Sequence, residues 1–405
     1  MKPTKICIIA KYNYPLDTRL GQQIRVLSEY GIPCDIICGT DGSQKVYERL
    51  HTTNIYRVFR KPQDQVSFIL YLITTFRFLL TAFFKLFYLS QKNNYKVIVV
   101  HTLPEFLVFV ASINKLFGAK IILDGRDITV DLISSRWHGP QRVLLRMLAK
   151  VVEKWCMKFC DEVITASNGF RRSLIARRVN PDKITVLTNT ADEKIFRYME
   201  RKEFTPIKNG ARLIYHGTVS ERFGVLIAVQ AMKIISSSIP NSTLHIYGFY
   251  DTNYRKKIEK FISEAQLTSN VHLNGVLPLE QIYSQIQTMN LGIVPYLSDH
   301  FMNIALSTKM FEYIASGLPV VASRLKSGEE LFNDSCVHYF KPGSVEDLAE
   351  KVLEFCADPQ LRSAKRELAY KVFSSSFTSE IQSKQYIKII ANHLDIKDLV
   401  LINAS

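Results

Sequence analysis

Short apolar runs rich in β-branched residues alternate with longer amphipathic segments along the chain. This alternation predicts parallel strands joined by helices. The pattern stops at Arg197–Gly210, a polar and charged stretch, and then resumes. The predicted strands are Ile6–Ala10, Cys34–Cys38, Val97–Val100, Lys120–Leu123, Glu162–Thr165 and Lys183–Leu187 before the interruption, and Leu213–Tyr215, Thr243–Tyr247, Val271–Leu273, Leu291–Val294, Val320–Ala322 and Val337–Tyr339 after it.

The two series of strands predict an α/β protein with two doubly wound, Rossmann-like domains that face each other across a cleft. In such domains, ligands bind beyond the carboxyl ends of the strands. Apolar residues recur near helical spacing in Ser379–Leu394, so a final helix is expected to pack back on the first domain. The predicted boundaries are 1–195 for the first domain, 196–210 for a linker, 211–378 for the second domain and 379–405 for the returning helix.

One predicted helix, Phe68–Leu89, is apolar enough and long enough to span a bilayer. Arg77 near its middle opposes insertion by roughly 2.5–3.5 kcal/mol. A span would also separate Ile6–Ala10 from Val97–Val100, although both are expected in one sheet. A transmembrane helix is therefore not predicted. The alternatives are a helix in the membrane interface, which its basic flanks favour, and a helix buried in its own domain.

The net charge of +15 lies mainly in the first half of the chain. Residues 1–195 hold 29 Lys and Arg against 16 Asp and Glu, a balance of +13. Such a surface suits an anionic partner, and a basic row on the predicted helix 142–158 adds to it, although charge rows are often only solvated helix faces. We expect contact with an anionic membrane surface through 68–89 and 142–158. The row consists of Arg142, Arg146, Lys150, Lys154 and Lys158.

The seven cysteines are scattered and lie mostly in apolar runs. They predict reduced, buried thiols in a cytoplasmic protein. The two CxxxC spacings lack the further ligands of a zinc site, so no metal is predicted. With the membrane surface, this places the protein in the cytoplasm, peripheral on the inner face of the membrane.

The stretch LSTKMFEYIASGLPVVAS, Leu306–Ser323, contains the main candidate chemistry. A helix is predicted to start near Thr308 and to end before Gly317. Lys309 in the first turn and Glu312 after it reverse the charge order that stabilises a helix. A cation beside free backbone N–H groups is suited to a phosphate, and a carboxylate one turn later is suited to a sugar hydroxyl.

A second candidate is HGTVSERFG, His216–Gly224, which follows the first strand of the second domain. Gly217 permits close backbone approach, and Arg222 lies in the loop before the next helix. Two cations from different loops at one sheet edge, Arg222 and Lys309, are expected to bind one diphosphate.

These stretches, together with VHTLPEFLVFVASINKLFGAKIILDGRD and YPLDTRLGQQIRVLSEYGIPCDIIC, resemble the retaining glycosyltransferases of family 4, which have the GT-B fold. The N-terminal stretches are similar to a branch that builds bacterial surface polysaccharides. The resemblance implies that the second domain binds a nucleotide-diphosphate sugar and the first a glycan or lipid-linked acceptor. It also implies transfer with retention and no required metal or cofactor.

The resemblance further implies roles for individual residues. Arg222 and Lys309 match the family's diphosphate-binding cations, and Glu312 matches the glutamate that holds the ribose. Other donor-side positions are Gly217, Ser307 and Thr308 at the phosphates, and Gly275, Val276 and Leu277 where the main chain meets the base.

The chain departs from the family pattern at three places. A second glutamate eight residues before Glu312 is replaced by Ile304, so Asp299 or Asn303 is expected to hold the donor sugar. A lysine before Gly224 is replaced by Phe223. The histidine of an Asp-x-His-Asp run is replaced by Arg126 in DGRD, Asp124–Asp127.

The acceptor-side candidates follow strands of the first domain. Asp127 is expected to orient the acceptor hydroxyl and Arg126 to contact an oxygen, although DGRD is equally typical of a turn that caps a helix. His101 is also compatible with a core histidine, and Asp17 with a pair to Arg19 inside its loop. The complete acceptor-side set is Asp17, Arg19, His101, Glu105, Asp124 and Arg126.

Two rival functions remain at this stage. One is a sugar-nucleotide epimerase of the same fold, which the Leu306–Ser323 motif disfavours. The other is a basic nucleic-acid-binding or scaffold protein. That class interleaves aromatic and basic residues on an exposed surface, whereas here the aromatic residues concentrate in Phe68–Tyr88. No nucleic-acid partner is predicted.

Overall fold

The computed structural model describes residues 4–14, 18–60, 68–125, 127–136, 140–200 and 205–394. The chain divides into two compact units. The first comprises residues 1–188 together with 382–405, and the second comprises residues 189–381. Each unit is built on one largely or wholly parallel sheet, which confirms the predicted α/β class.

The first unit contains an eight-stranded sheet in the order β3-β4-β2-β1-β5-β6-β7-β8, in which the only antiparallel pair of assigned neighbours is β3 with β4. A 3₁₀ helix, Glu105–Ala111, follows β5. The elements are β1 Thr4–Asn13, α1 Thr18–Glu29, β2 Cys34–Thr40, β3 Tyr47–Leu50, β4 Thr53–Arg60, α2 Phe68–Ser90, β5 Asn94–His101, α3 Ser112–Leu116, β6 Lys120–Asp124, α4 Thr129–Arg136, α5 Pro140–Phe159, β7 Glu162–Thr165, α6 Asn168–Ala176 and β8 Ile184–Val186.

The hairpin of β3 and β4 was not predicted from the sequence. Along β4 buried and partly exposed residues alternate, because this strand lies near the edge of the sheet and is not covered on both faces. Continuous apolar runs mark strands that are buried on both faces. A half-buried strand such as TNIYRVFR does not show that signal.

The second unit contains a six-stranded parallel sheet in the order β11-β10-β9-β12-β13-β14, and all of these strands were predicted. Its elements are β9 Arg212–His216, the 3₁₀ turn Glu221–Phe223, α7 Val225–Ser238, β10 Thr243–Tyr247, α8 Thr252–Glu264, β11 Val271–Asn274, α9 Leu279–Thr288, β12 Leu291–Val294, α10 Thr308–Ala315, β13 Val320–Ser323, α11 Lys326–Glu329, β14 His338–Phe340, α12 Val345–Ala357 and α13 Pro359–Ser376.

The strand order reverses once in each sheet, between β1 and β5 and between β9 and β12. At such a switch point, the loops that leave two neighbouring strands turn in opposite directions and leave a crevice at the carboxyl ends. The predicted diphosphate cations follow these two strands, with Arg222 in the 3₁₀ turn after β9 and Lys309 in the first turn of α10 after β12. Among the described acceptor-side predictions, His101 ends β5, Glu105 begins the 3₁₀ helix after it, and Asp124 ends β6.

The last helix, α14 Ser379–Leu394, returns to the first unit as predicted. Tyr386, Ile389 and Ile390 are buried in the core around β1 and β2. Gln382 Oε1 accepts a hydrogen bond from the backbone N–H of Thr188 at 2.9 Å. The helix therefore completes the hydrophobic core of the first unit.

The described residues of 196–210, which are 196–200 and 205–210, differ from the predicted linker because they belong to the second unit. Phe196 is buried, and the Ile207 N–H donates to the Cys356 carbonyl at 2.8 Å. The stretch is polar in composition, but its backbone is bonded to neighbouring segments. Composition alone does not reveal such bonds.

Helix α2 is buried along one face only. Thr75, Phe78, Ala82 and Leu86 are buried at helical spacing, so they pack against the unit. Large apolar side chains on the opposite face are exposed. Helix α2 is therefore not fully buried in its own domain, although one of its faces packs against that domain. The exposed side chains are Leu70, Leu72, Ile73, Phe76, Leu80, Phe84, Phe87 and Tyr88.

Candidate donor site

The switch point of the second sheet brings the loops after β9 and β12 into direct contact. The Leu297 N–H donates to the Arg222 carbonyl at 3.0 Å. Gly224, which ends the first loop, has φ +61, and a Cβ built on it would lie 1.8 Å from the Pro295 carbonyl oxygen. The two loops therefore meet through main-chain atoms at the edge where a ligand is expected.

Lys309 lies in the first turn of α10, as predicted, and is only 8% exposed. Its Nζ donates to Tyr296 Oη at 2.9 Å. A Cβ on Gly217 would lie 2.8 Å from this Nζ, so the ammonium occupies the space that glycine leaves in the loop after β9. Lys309 is therefore held at the switch point.

Ser307 precedes α10, but its side chain does not cap the helix. Its hydroxyl donates instead to Tyr296 Oη at 3.1 Å. The first turn of α10, which begins at Thr308, therefore lacks the usual hydroxyl cap of its backbone N–H groups. This is the local arrangement that an anion at a helix start requires.

Glu312 faces back to the end of β9. Its Oε2 lies 2.5 Å from His216 Nε2, and His216 Nδ1 lies 3.0 Å from Tyr313 Oη. Tyr313 donates its own proton to the Ile214 carbonyl at 3.2 Å, so its oxygen accepts from His216 Nδ1. The short contact with His216 orients the Glu312 carboxylate.

Arg222 and Asp299 form a contact across the same loops. Arg222 Nη2 lies 3.4 Å from Asp299 Oδ2, and the guanidinium carbon lies 4.7 Å from the centre of the Phe301 ring. The other Asp299 oxygen accepts from the Met302 N–H at 2.6 Å. Asn303 donates to Ser298 Oγ at 2.8 Å. Asp299 and Asn303, predicted to hold the donor sugar, thus also shape the turn after β12.

Three glycines mark the same sheet edge beyond β9, β10 and β11. The Gly217 N–H donates to the Tyr247 carbonyl, and the Gly248 N–H to the Gly275 carbonyl. A Cβ on Gly248 would lie 1.8 Å from the Gly217 oxygen, whereas one on Gly275 meets nothing within 4 Å. Val276, next to Gly275, is 68% exposed. The predicted base-contacting segment Gly275–Leu277 is therefore open on its outer side.

Two candidates of the first unit, His101 and Asp124, end the neighbouring strands β5 and β6. His101 Nε2 lies 2.8 Å from Gln23 Oε1, and Gln23 Nε2 donates to Asp124 Oδ2 at 2.7 Å. All three side chains are buried, which fits the alternative of a satisfied core histidine.

Glu105 is also buried, and the backbone N–H of Thr129 donates to its Oε1 at 2.7 Å. The Thr129 hydroxyl donates to the other oxygen. Burial raises the pKa of this carboxyl against the effect of these bonds. Glu105 therefore caps the start of α4, the structural role that the sequence left open for DGRD.

The remaining acceptor-side predictions fall in or beside the gaps between the described residues. Asp17 and Arg126 lie outside the described residues. Arg19 lies in the first turn of α1, and Asp127 is half-buried, with its carbonyl accepting from the Thr102 hydroxyl at 3.2 Å. Within residues 4–14, 18–60, 68–125, 127–136, 140–200 and 205–394, no group of three or more His, Cys, Asp or Glu side chains is placed to hold a metal.

Three residues that shape these sites were not selected from the sequence: His216, Tyr296 and Gln23. His216 and Tyr296 lie at or just after the carboxyl ends of β9 and β12. A search for polar residues at every predicted strand end would have found both. Gln23 lies within α1, and only the three-dimensional fold brings it to His101.

The two halves of the chain match two glycosyltransferase family models. Residues 210–358 match "Glycosyl transferases group 1" and residues 18–194 match "Glycosyltransferase Family 4". The two matches do not overlap, and together they cover most of the chain.

Several solved structures share the fold of this chain. Sucrose-phosphate synthase from Thermosynechococcus elongatus has a TM-score of 0.76 at 17% identity, over 97% of this chain and 100% of that one. Anabaena HepE, solved with UDP and glucose, has a TM-score of 0.72 at 16% identity, over 96% and 99%. The lipopolysaccharide outer core galactosyltransferase WaaB has a TM-score of 0.64 at 14% identity, over 96% and 99%. From the two family models, which together cover most of the chain, and the shared fold, the chain belongs to the family 4 glycosyltransferases of GT-B fold.

Proposed function

We propose that this glycosyltransferase transfers a sugar, with retention, from a nucleotide-diphosphate sugar to a glycan or lipid-linked acceptor at the inner face of the cytoplasmic membrane. The observation that carries the donor side is the buried Lys309 ammonium at the start of α10, at the switch point of the second sheet. A diphosphate there meets a cation, helix N–H groups and, from the neighbouring loop, Arg222.

The chemical role follows from the leaving group. As the bond to the donor sugar breaks, negative charge grows on the nucleoside diphosphate, and fixed cations lower the barrier. Lys309 and Arg222 supply two such charges, so no metal is required in this proposal. Glu312, oriented by His216, is placed to accept hydrogen bonds from ribose hydroxyls through its remaining oxygen. The segment Gly275–Leu277 contacts the base.

A thermal-stability screen with UDP, GDP and ADP and their sugar derivatives, with and without EDTA, tests the donor side. A ligand at a hundred times its dissociation constant adds about 2.7 kcal/mol of stability, a shift in Tm of about 5–11 °C for domains of this size. We expect one base to stabilise the protein and EDTA to leave that shift unchanged. Stabilisation by none of the nucleotides would refute the donor proposal.

Retention and the acceptor class need a product analysis. With an α-linked donor and a lipid-linked oligosaccharide acceptor, proton NMR of the product is expected to show an α-linkage. A β-linkage would refute retention. An altered, unbound sugar nucleotide formed without acceptor would instead indicate the epimerase activity.

The membrane side rests on exposed apolar surface in the first unit. Besides α2, helix α5 exposes a row of large apolar side chains at helical spacing, between the basic residues of the predicted row. The side chain of Arg142 is outside the described part of that row. The exposed residues of α5 are Val143, Leu144, Met147, Leu148, Val151, Val152 and Trp155.

The two apolar faces belong to neighbouring helices. The 3₁₀ helix Glu105–Ala111 packs against both α2 and α5, and the Phe109 ring lies 5.1 Å from that of Phe159. Leu116 and Phe117, at the end of α3, are 85% and 87% exposed. Large exposed apolar surface mixed with basic side chains is suited to an anionic lipid surface.

The segment Leu70–Ser90 of α2 is long enough and hydrophobic enough to cross a membrane. The arrangement of the sheet supports an interfacial position instead. The strands on either side of α2 in the sequence, β1 and β5, pair in parallel with Ile8 opposite Val99. A spanning α2 would place these paired strands on opposite sides of the bilayer.

We expect the double variant Phe76→Asp/Phe84→Asp to lose at least about tenfold in vesicle binding, because two exposed phenyl rings leave the lipid interface. Flotation with phosphatidylcholine vesicles, with and without phosphatidylglycerol, measures this. The matched control is Phe249→Asp, an equally exposed phenylalanine of the second unit. Equal binding by the double variant and the wild type, or no binding by the wild type, would refute the membrane proposal.

A further inference from the structure

The ammonium of Lys309 is surrounded by aromatic side chains. Its Nζ lies 5.2 Å from the ring centre of Tyr215, 5.2 Å from that of Phe223 and 5.3 Å from that of Tyr296. Burial raises the pKa of Tyr215 well above its usual range, so that ring stays a neutral phenol. An ammonium over neutral rings is attracted to their faces.

Tyr296 connects the parts of this enclosure. Its hydroxyl oxygen accepts hydrogen bonds from Lys309 and Ser307, and its ring packs edge-on against Phe223 at 5.2 Å and 62°. Tyr296 is 6% exposed and directly follows Pro295, whose carbonyl abuts Gly224. Its position is therefore fixed by the main-chain contact of the two loops.

A lysine side chain has four rotatable bonds, and an exposed one samples many positions. A cation that stabilises a leaving diphosphate works best when it is already in place. Tyr296 supplies the hydrogen bond and one ring, and Phe223 a second ring, that restrict Lys309 to one position. Neither side chain is needed for the charge itself.

Building on the proposed donor site, we propose that Tyr296 and Phe223 are positioning residues for Lys309. They hold its ammonium at the diphosphate-binding edge before the donor arrives. The ligand class is a nucleoside diphosphate. Loss of Tyr296 or Phe223 therefore weakens binding of the diphosphate and leaves binding of the nucleoside unchanged.

The main test is Tyr296→Phe, which keeps the ring and removes only the hydroxyl. Calorimetric titration with UDP or GDP, whichever the wild type binds, is expected to show about tenfold weaker binding, because a hydrogen bond to a charged group is lost. Affinity for the corresponding nucleoside, measured by ligand-observed NMR, is expected to stay within about twofold. Phe223→Leu is expected to weaken diphosphate binding by about threefold or more.

Two controls separate positioning from packing. Tyr339→Phe removes another buried hydroxyl of the second unit, which donates to the Phe332 carbonyl, and is expected to leave diphosphate affinity unchanged. In a Lys309→Ala background, adding Tyr296→Phe is expected to change affinity less than about twofold, because the side chain being positioned is gone. A purely structural role would give additive losses.

The outcomes are distinguishable from those of the proposed function. No binding of UDP, GDP or ADP by the wild type refutes the donor site itself. Wild-type binding with unchanged Tyr296→Phe affinity refutes the positioning inference alone. Equal losses for nucleoside and diphosphate, or additivity with Lys309→Ala, would refute it as well.

Discussion

Replacing Lys309 by alanine is expected to lower kcat at least about 100-fold, the effect of removing one group that stabilises developing charge in a preorganised site. The substitution removes the buried cation at the start of α10 and empties the space beside Gly217. Water entering that space cannot replace a positive charge. Initial-rate kinetics with the preferred donor, together with calorimetric titration of its nucleoside diphosphate, measure the loss.

The matched control is Lys260→Ala on α8, an exposed lysine of the same unit that pairs with Glu264 on its own helix. Its kcat is expected to equal that of the wild type, since an exposed pair contributes little. Circular dichroism should show both variants folded. A folded Lys309→Ala enzyme with wild-type kcat would contradict a role of this ammonium at the leaving group.

Much of the fold was predictable because central parallel strands are apolar on both faces. Runs such as Val97–Val100 and Val320–Ala322 have that composition, and both are central strands in the structure. The hairpin of β3 and β4 lacks it and was missed. The stretch 196–210 reads as a linker only because its backbone hydrogen bonds leave no trace in composition.

The donor site was predictable from the sequence where a charged residue occupies a position that does not stabilise its own helix. Lys309 and Glu312 stand out because their charge order does not favour a helix. Tyr296 and His216 do not stand out, since a tyrosine or histidine after a strand is ordinary. Their importance comes from the contacts with Lys309 and Glu312, which exist only after the loops of β9 and β12 meet.

In the first unit, the sequence revealed the basic row of 142–158 but not the exposed apolar surface beside it. The basic row of 142–158 is visible as a repeat of four. The apolar residues between these charges, such as Leu144 and Met147, have the spacing of a buried helix face. The structure leaves them exposed, and the buried face of α5 carries Glu153 and Cys156 instead. Periodicity gives the faces of a helix but not which one faces the core.

Gly224→Ala is expected to destabilise the second unit by more than about 4 kcal/mol. Losses of this size come from severe steric clashes and strained backbones. Its φ of +61 is unfavourable for a side chain, and the added Cβ would lie 1.8 Å from the Pro295 carbonyl oxygen. The backbone fixes the position of the Cβ, and the atom that it meets is a main-chain oxygen, so no side-chain rotation relieves the contact. The loops of β9 and β12 must separate, which breaks the Leu297–Arg222 hydrogen bond and moves Tyr296 away from Lys309.

This loss is measured by scanning calorimetry and by urea unfolding monitored with circular dichroism. Binding of the nucleoside diphosphate should also disappear. Gly275→Ala, at the same sheet edge with nothing within 4 Å of the added Cβ, is the control and should stay within about 1 kcal/mol of the wild type. Trp155 lies in α5 of the first unit, so its fluorescence should report a smaller change than calorimetry does. A Gly224→Ala protein as stable as Gly275→Ala would mean that the two loops do not meet through main-chain atoms, and the fixed position of Lys309 would lose its support.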